Sequence, residues 1–343
     1  MKAATIHAFG DFDVLTYEDV ETPRPGPGEV LIKVLASGVN RFDHYIRAGE
    51  VAPELPFPHI LGADAAGEVA ALGDGVEGFR IGERVIPLSG FPTDADEQDV
   101  VPATSAPSFT VQGLGVPGTY AQYITVPVRF VLRDETGLSP EEAAALPMGL
   151  ATGVRAVKVV GGVKAGDRVL VQAGAGSAGS MMIQVAKALG ARVATTVRKE
   201  AKRAQLEELG ADLVINSGTQ DVVAEVKEWT GGAGADVVID TLGGDVLQHS
   251  IDAARPFGVI VAYGFVAGVE STINVQSFFF TQKQLRGSMS ADLSDLEWGL
   301  EQVRAGRIRP VLDSAYPLSE AAEAQRKVAE NRVTGSVVLR PWA

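Results

Sequence analysis

The chain has 343 residues, 46% of them hydrophobic and 21% charged, with 39 Gly and 18 Pro, which is enough to bury a large core and to build two domains. Its formal net charge of −13 and the lack of a basic stripe exclude nucleic acid as the main partner, because phosphate backbones are held by Lys and Arg clusters. Zero Cys removes disulfides and thiolate chemistry, and the four His (His7, His44, His59 and His249) stand at no ligand spacing, so no metal site is expected.

The first stretch, MKAATIHAFGDFD, is broken by His7, Gly10 and Asp11 before a signal-type apolar core develops. No apolar run approaches the roughly 18 residues that cross a bilayer, so a cytoplasmic protein without a membrane partner is expected. Residues 1–130 read as β-rich, with EVLIKVLASGV, AAGEVAALG and ERVIPL as short β-branched runs between Gly- and Pro-rich turns. Between the first two lies SGVNRFDHYIRAG, residues 37–49, which packs Asn40, Arg41, Asp43, His44, Tyr45 and Arg47 into eight positions. Metal ligation, acid/base chemistry and solvent exposure are all open for this polar cluster. Residues 89–118 have little periodicity and read as a long excursion, functional or mobile, after which TYAQYITVP resumes strand character.

Near residue 139 the pattern changes. In LSPEEAAALP, Ser139 is placed as a helix cap, Pro140 at the first helical position and acids in the first turn. Apolar strands then alternate with amphipathic helices: DRVLVQA, GSMMIQVAKALG, ARVATTV, KEAKRAQLEELG, ADLVINS, QDVVAEVKEWTGG, ADVVID, GDVLQHSIDAAR and FGVIVAYG. Such alternation predicts an α/β fold with a doubly wound parallel sheet covered on both faces.

The strand RVLVQA runs into GAGSAG and then into a helix, so Gly174, Gly176 and Gly179 form G-x-G-x-x-G in strand–turn–helix context. Glycine there allows a tight turn, close approach of backbone to a pyrophosphate and close packing of helix on strand. With Ser177 and Ala178 it predicts a dinucleotide site at a helix N-terminus. NAD-specific versions carry an acid about 20 residues past the glycines; counting from Gly176 leads to Thr196, followed by Val197, Arg198 and Lys199. Hydroxyls and cations suit a 2′-phosphate, so NADPH is expected rather than NADH. Lys202 and Arg203 also sit at a helix start, where cations oppose the dipole and gain from a nearby phosphate.

Over essentially its whole length the chain resembles the medium-chain dehydrogenase/reductase superfamily, and most closely its zinc-independent quinone oxidoreductase branch. The strings that carry the resemblance are PGPGEVLIKV, ASGVNRFDHYIRAG, LGADAAGEV, GTYAQYITVP, AAALPMGLATG, AGDRVLVQAGAGSAG, LGADLVIN and NRVTGSVVL. The resemblance implies a Rossmann domain, residues 129–288, inserted into a GroES-like β-rich domain made of residues 1–128 and 289–343. Where zinc-dependent members place Cys, His and Cys, this chain has Asn40, Ala63 and Met148. The branch signature GVNxxDxYxRxG near the nicotinamide is matched by Asn40, Asp43, Tyr45 and Arg47, which marks Asn40, Tyr45 and Arg47 as candidate catalytic residues. Asn40 and Tyr45 are neutral donors that could stabilise charge on a carbonyl oxygen in place of zinc. For Asp43 and Arg47 a buried ion pair is expected, and for His44 a solvent-facing position. Thr152 is expected near the nicotinamide, and Gly264, which closes FGVIVAYG, among the cofactor contacts. Lys202 and Arg332 match positions that contact the 2′-phosphate, and Ser217 stands where that group has a tyrosine. The activity implied is NADPH-dependent reduction of quinones or enones; enoyl thioester reduction, zinc-less alcohol or aldehyde chemistry and a non-catalytic sensor are the alternatives. A homodimer is expected, and the run Phe278–Phe280 is read as core or subunit interface.

Overall fold

The computed structural model describes every residue except Pro53. The chain forms two compact units, one of Met1–Ala151, Ala291–Arg304 and Pro310–Ala343, the other of Thr152–Ser290 and Ala305–Arg309.

The first unit is organised by the strand Glu29–Val39. Val30, Ile32, Val34 and Ala36 alternate along it and are all fully buried. It pairs antiparallel with Asp64–Leu72, with Tyr123–Pro127 and with the C-terminal strand Ser336–Arg340. The far end of the sequence therefore completes the sheet begun at residue 29, as the resemblance implies. Ile6, Ile46, Leu61, Tyr120, Val337 and Leu339 lie in its core.

The helix Pro140–Ala144 begins as the sequence predicts. Ser139 Oγ accepts the Glu142 N–H at 3.2 Å, and the Glu142 carboxylate accepts the Ser139 N–H at 3.0 Å, a reciprocal cap. The helix lies on the sheet so closely that a Cβ on Gly38 would stand 2.6 Å from the Ala144 carbonyl oxygen. This packing holds residues 129–151 in the first unit, so the boundary falls at 151/152 and not at 128/129.

The second unit carries six parallel strands in the order Leu213–Asn216, Arg192–Val197, Arg168–Val171, Ala235–Asp240, Ala254–Ala262 and Gln284–Gly287. The direction of winding reverses beside Arg168–Val171, which puts a ligand crevice at the carboxyl ends of that strand and Ala235–Asp240. Leu170, Ala194, Ile215, Val238 and Ile260 are fully buried, or nearly so, on strands covered by helices. Residues 305–309 join this unit through Gln184, whose side chain bonds both the N–H and the carbonyl of Arg309 at 2.9 and 3.0 Å.

The excursion is built rather than loose. Gly90–Pro92 pairs antiparallel with Phe109–Val111. Phe91 is buried and stacks on Phe130 with 5.6 Å between ring centroids. Among the described residues, no helix is long and apolar enough to cross a membrane.

Candidate active site and dinucleotide loop

Asn40 follows the strand Glu29–Val39 and caps the helix Arg41–Arg47. Two buried carboxylates hold it. Its backbone N–H donates to Asp43 Oδ2 at 2.8 Å, and its side-chain Nδ2 donates to Asp64 Oδ2 at 2.9 Å. Asp64 opens the strand Asp64–Leu72 and lies opposite Gly38 in the register. A Cβ on Gly38 would come within 2.8 Å of Asp64 Cβ, so the glycine leaves room for the acid. Asp64 Oδ1 accepts the Ser89 hydroxyl at 2.6 Å and the Met148 backbone N–H at 2.8 Å. Burial raises the Asp64 pKa, while the donors from Asn40, Ser89 and Met148 oppose the rise.

These contacts test whether zinc fits. The positions that match the family's ligands, Asn40 and Met148, turn N–H donors toward a carboxylate, and Ala63 offers a buried methyl. Groups around a cation must present lone pairs; this set presents hydrogens and fits an anion. Among the described residues no three His, Cys, Asp or Glu side chains form a metal-type cluster. Zinc does not fit this site.

Asp43 is fully buried, and its Oδ2 also accepts the Tyr120 hydroxyl at 2.9 Å. Burial pushes its pKa up to about 7 against these two hydrogen bonds. Its Oδ1 is buried with no partner.

The expected ion pair with Arg47 does not form. Arg47 is fully buried and donates to the Gly10 carbonyl, to Gln325 Oε1 at 2.8 Å and to His44 Nδ1 at 2.6 Å, with Phe12 beneath its guanidinium at 4.2 Å. These contacts make it a strut of the first unit. His44 is corrected too. It stacks on Phe12, and burial and the Arg47 charge lower its pKa, which keeps Nδ1 an acceptor. Burial raises the Tyr45 pKa, so its hydroxyl stays protonated, and Arg41 lies beside it.

In the second unit the helix Ser177–Ala188 begins at Gly176, which has no side chain to cap it, and a helix N-terminus of this kind suits an anion. A Cβ on Gly174 would meet Thr195 Oγ1 at 2.0 Å, and one on Gly179 would meet the Ala173 carbonyl at 2.5 Å. On Gly176 it would meet only the Ala173 oxygen, at 3.7 Å. The first and third glycines thus serve packing, and the second keeps the front of the helix open, so the loop fits a dinucleotide.

Thr196 is only 2% exposed; its hydroxyl donates to Gln172 Oε1 and accepts the Ala173 N–H, both at 2.9 Å. These bonds tie it to the strand end and to the start of the glycine loop. Arg198 and Ser217 are exposed at the carboxyl ends of their strands. Glu200, the nearby acid, is engaged by Arg203 and Asn216. Gly264 follows the strand Ala254–Ala262 and lies against Thr241, where a Cβ would stand 2.7 Å from the carbonyl. Thr152 is half-buried in the helix Pro147–Val154, and Lys202 precedes the helix Arg203–Glu208. Arg332 belongs to the first unit and pairs with Glu330 at 2.6 Å and Glu323 at 3.2 Å.

Sequence reading missed Asp64, Ser89, Tyr120 and Gln325, the partners of the residues it named. The one available signal was the acid that follows Ala63 in LGADAAGEV. Phe278 packs on the second unit's core, whereas Phe279 and Phe280 are 69% and 73% exposed.

A family model described as the alcohol dehydrogenase GroES-like domain matches residues 26–135, and one described as zinc-binding dehydrogenase matches residues 178–304. The chain is 34% identical to the 2-haloacrylate reductase of a Burkholderia species over the full length of both. It is 29% identical to the quinone oxidoreductase of Pseudomonas aeruginosa over 99% of both. A solved structure described as an NAD-dependent alcohol dehydrogenase superposes with a TM-score of 0.92 at 36% identity, covering 99% of each chain.

Proposed function

The chain belongs to the medium-chain dehydrogenase/reductase superfamily, in its quinone oxidoreductase-like branch, and we propose that it is a metal-free, NADPH-dependent reductase of quinones or α,β-unsaturated carbonyls. The observation that carries this reading is the polarity around Asp64: two of the three positions that would hold zinc, Asn40 and Met148, turn donors to a carboxylate, and Ser89 adds a third donor. Alcohol oxidation by zinc-dependent members needs the metal to stabilise an alkoxide. Reduction of an enone or quinone needs only donors aimed at an oxygen that gains negative charge.

The nicotinamide, when bound, supplies the hydride. Asn40 spends one N–H on Asp64 and keeps a second for the substrate oxygen. Tyr45, protonated at neutral pH, is a second candidate donor. In the second unit, the open front of Gly176 and the first-turn N–H groups receive the pyrophosphate. Arg198, with Lys202, faces the 2′-phosphate, and Glu200 does not compete because Arg203 holds it. Two copies pair through the edge strand Gln284–Gly287, which is exposed along its whole length beside Phe279 and Phe280. The name of the superposed structure favours a second reading, NAD-linked alcohol oxidation.

The test is oxidation of NADPH and NADH by purified, EDTA-treated protein with 1,4-benzoquinone, a simple enone, crotonyl-CoA and an aldehyde, alongside NAD reduction with a secondary alcohol. Quinone or enone turnover that prefers NADPH and survives EDTA is expected. Turnover of the alcohol or aldehyde alone, or loss of activity in EDTA, refutes the reading.

A further inference from the structure

Against the polar cluster lies an acid that the proposed chemistry does not use directly. Asp64 is buried and is held by three uncharged donors, the Asn40 amide, the Ser89 hydroxyl and the Met148 N–H, and no cation is among the groups that act on it. Asp64 Oδ1 accepts two of these hydrogen bonds, from Ser89 and Met148, and its Oδ2 accepts the third, from the Asn40 Nδ2. Asn40 must therefore turn its nitrogen toward Asp64, and its Oδ1 away. Asp43 fixes the other half of the residue by taking the backbone N–H.

We propose that Asp64 is the positioning residue of the active site, which fixes the amide of Asn40 so that its second N–H, and not its oxygen, is presented to the substrate carbonyl. This rests on the reading of Asn40 as the carbonyl donor. An amide free to rotate about its last bond would offer Oδ1 to the substrate oxygen in half of its orientations, and two acceptors repel. The geometry also explains Gly38. Any side chain there would push against Asp64 Cβ at 2.8 Å and Oδ2 at 3.2 Å, and so against the group that aims Asn40.

Two measurements test the assignment. The chain has only four asparagines, Asn40, Asn216, Asn274 and Asn331, so asparagine-selective 15N labelling gives a short set of side-chain amide signals, with Asn40 identified by its loss in N40A. One Asn40 amide proton is expected far downfield in the unsubstituted protein and absent from that position in D64N. In the unsubstituted protein it should also move upfield on acidification as the carboxylate protonates, while the other three asparagines stay fixed; this arm stands even if D64N fails to fold. An Asn40 pair that is insensitive both to D64N and to acid overturns the proposal.

Kinetics supplies the second arm. Loss of one donor to a developing oxyanion costs about 10² in kcat, so N40A is expected to lose about that factor. D64N should lose about 10-fold through misorientation of the same donor, with KM for NADPH unchanged. In the N40A background D64N should cost almost nothing further. Equal losses in both backgrounds mean that Asp64 acts on the fold and not through Asn40, which overturns the proposal and leaves the reductase reading intact. A downfield proton with no turnover of any acceptor supports the hold of Asp64 on Asn40 and refutes the reductase reading instead.

Discussion

Asp43→Asn separates the energetic role of a buried carboxyl from its shape. The folded-state pKa is raised from 3.8 to about 7 by burial, and each tenfold gain in proton affinity corresponds to about 1.4 kcal/mol. An acid with a raised folded pKa binds its proton more tightly in the native state. Its stabilising contribution is complete below pH 4 and is lost as pH rises through about 7. Across the whole interval the loss has a ceiling of about 4 kcal/mol, and between pH 5 and 8 it comes to about 3 kcal/mol. In the variant the amide oxygen still accepts from the Asn40 N–H and the Tyr120 hydroxyl. The amide nitrogen takes the place of Oδ1, which has no partner to lose. The assay is urea unfolding of both proteins at pH 5 and at pH 8, reading only the difference between them so that other titrations cancel. The variant is expected to gain about 3 kcal/mol on the original between the two pH values. A difference that stays constant with pH means that Asp43 does not titrate there, and the burial argument fails.

Arg47→Ala leaves Gln325 Oε1, His44 Nδ1 and the Gly10 carbonyl without their donor inside the first unit. We expect a loss of about 3–5 kcal/mol, read as a melting temperature lower by about 10 °C, with kcat per folded molecule retained; a stable but inactive variant would place Arg47 in the chemistry. Arg198→Ala should raise KM for NADPH about tenfold, in line with loss of one charge-assisted phosphate contact, and leave KM for NADH unchanged; equal effects on both cofactors sink the 2′-phosphate assignment. The double substitution Phe279→Asp and Phe280→Asp places charge on an exposed apolar patch beside an edge strand. Sedimentation is expected to report a dimer for the original and a monomer for the variant, and an unchanged oligomeric state refutes pairing through this edge.

Short-range patterns carried much of the fold. The cap at Ser139, the glycine loop at 174–179 and the alternation of strand and helix after it are local chemistry and form as their residues predict, although the helix read through Arg255 gives way to strand at Ala254 and the edge strand Gln284–Gly287 carried no such signal. The polar cluster at 40–47 was legible as a set of residues but not as a set of contacts. Arg47 and Asp43 are one helical turn apart and carry opposite charges, which invited an ion pair. Helix packing instead gave Arg47 to Gln325, 278 positions away, and Asp43 to Tyr120, 77 positions away.

The run Phe278–Phe280 divided for a similar reason, because a seven-residue helix can turn only one side to the core. By itself the sequence determined which residues could donate, accept or turn tightly, since those properties belong to single side chains and to spacing along the chain. Tertiary structure alone decided that Asn40 faces a carboxylate. Asp64 meets it, and Ser89 and Met148 meet Asp64, only through the antiparallel register of two strands and the seating of a helix, and no local pattern encodes either.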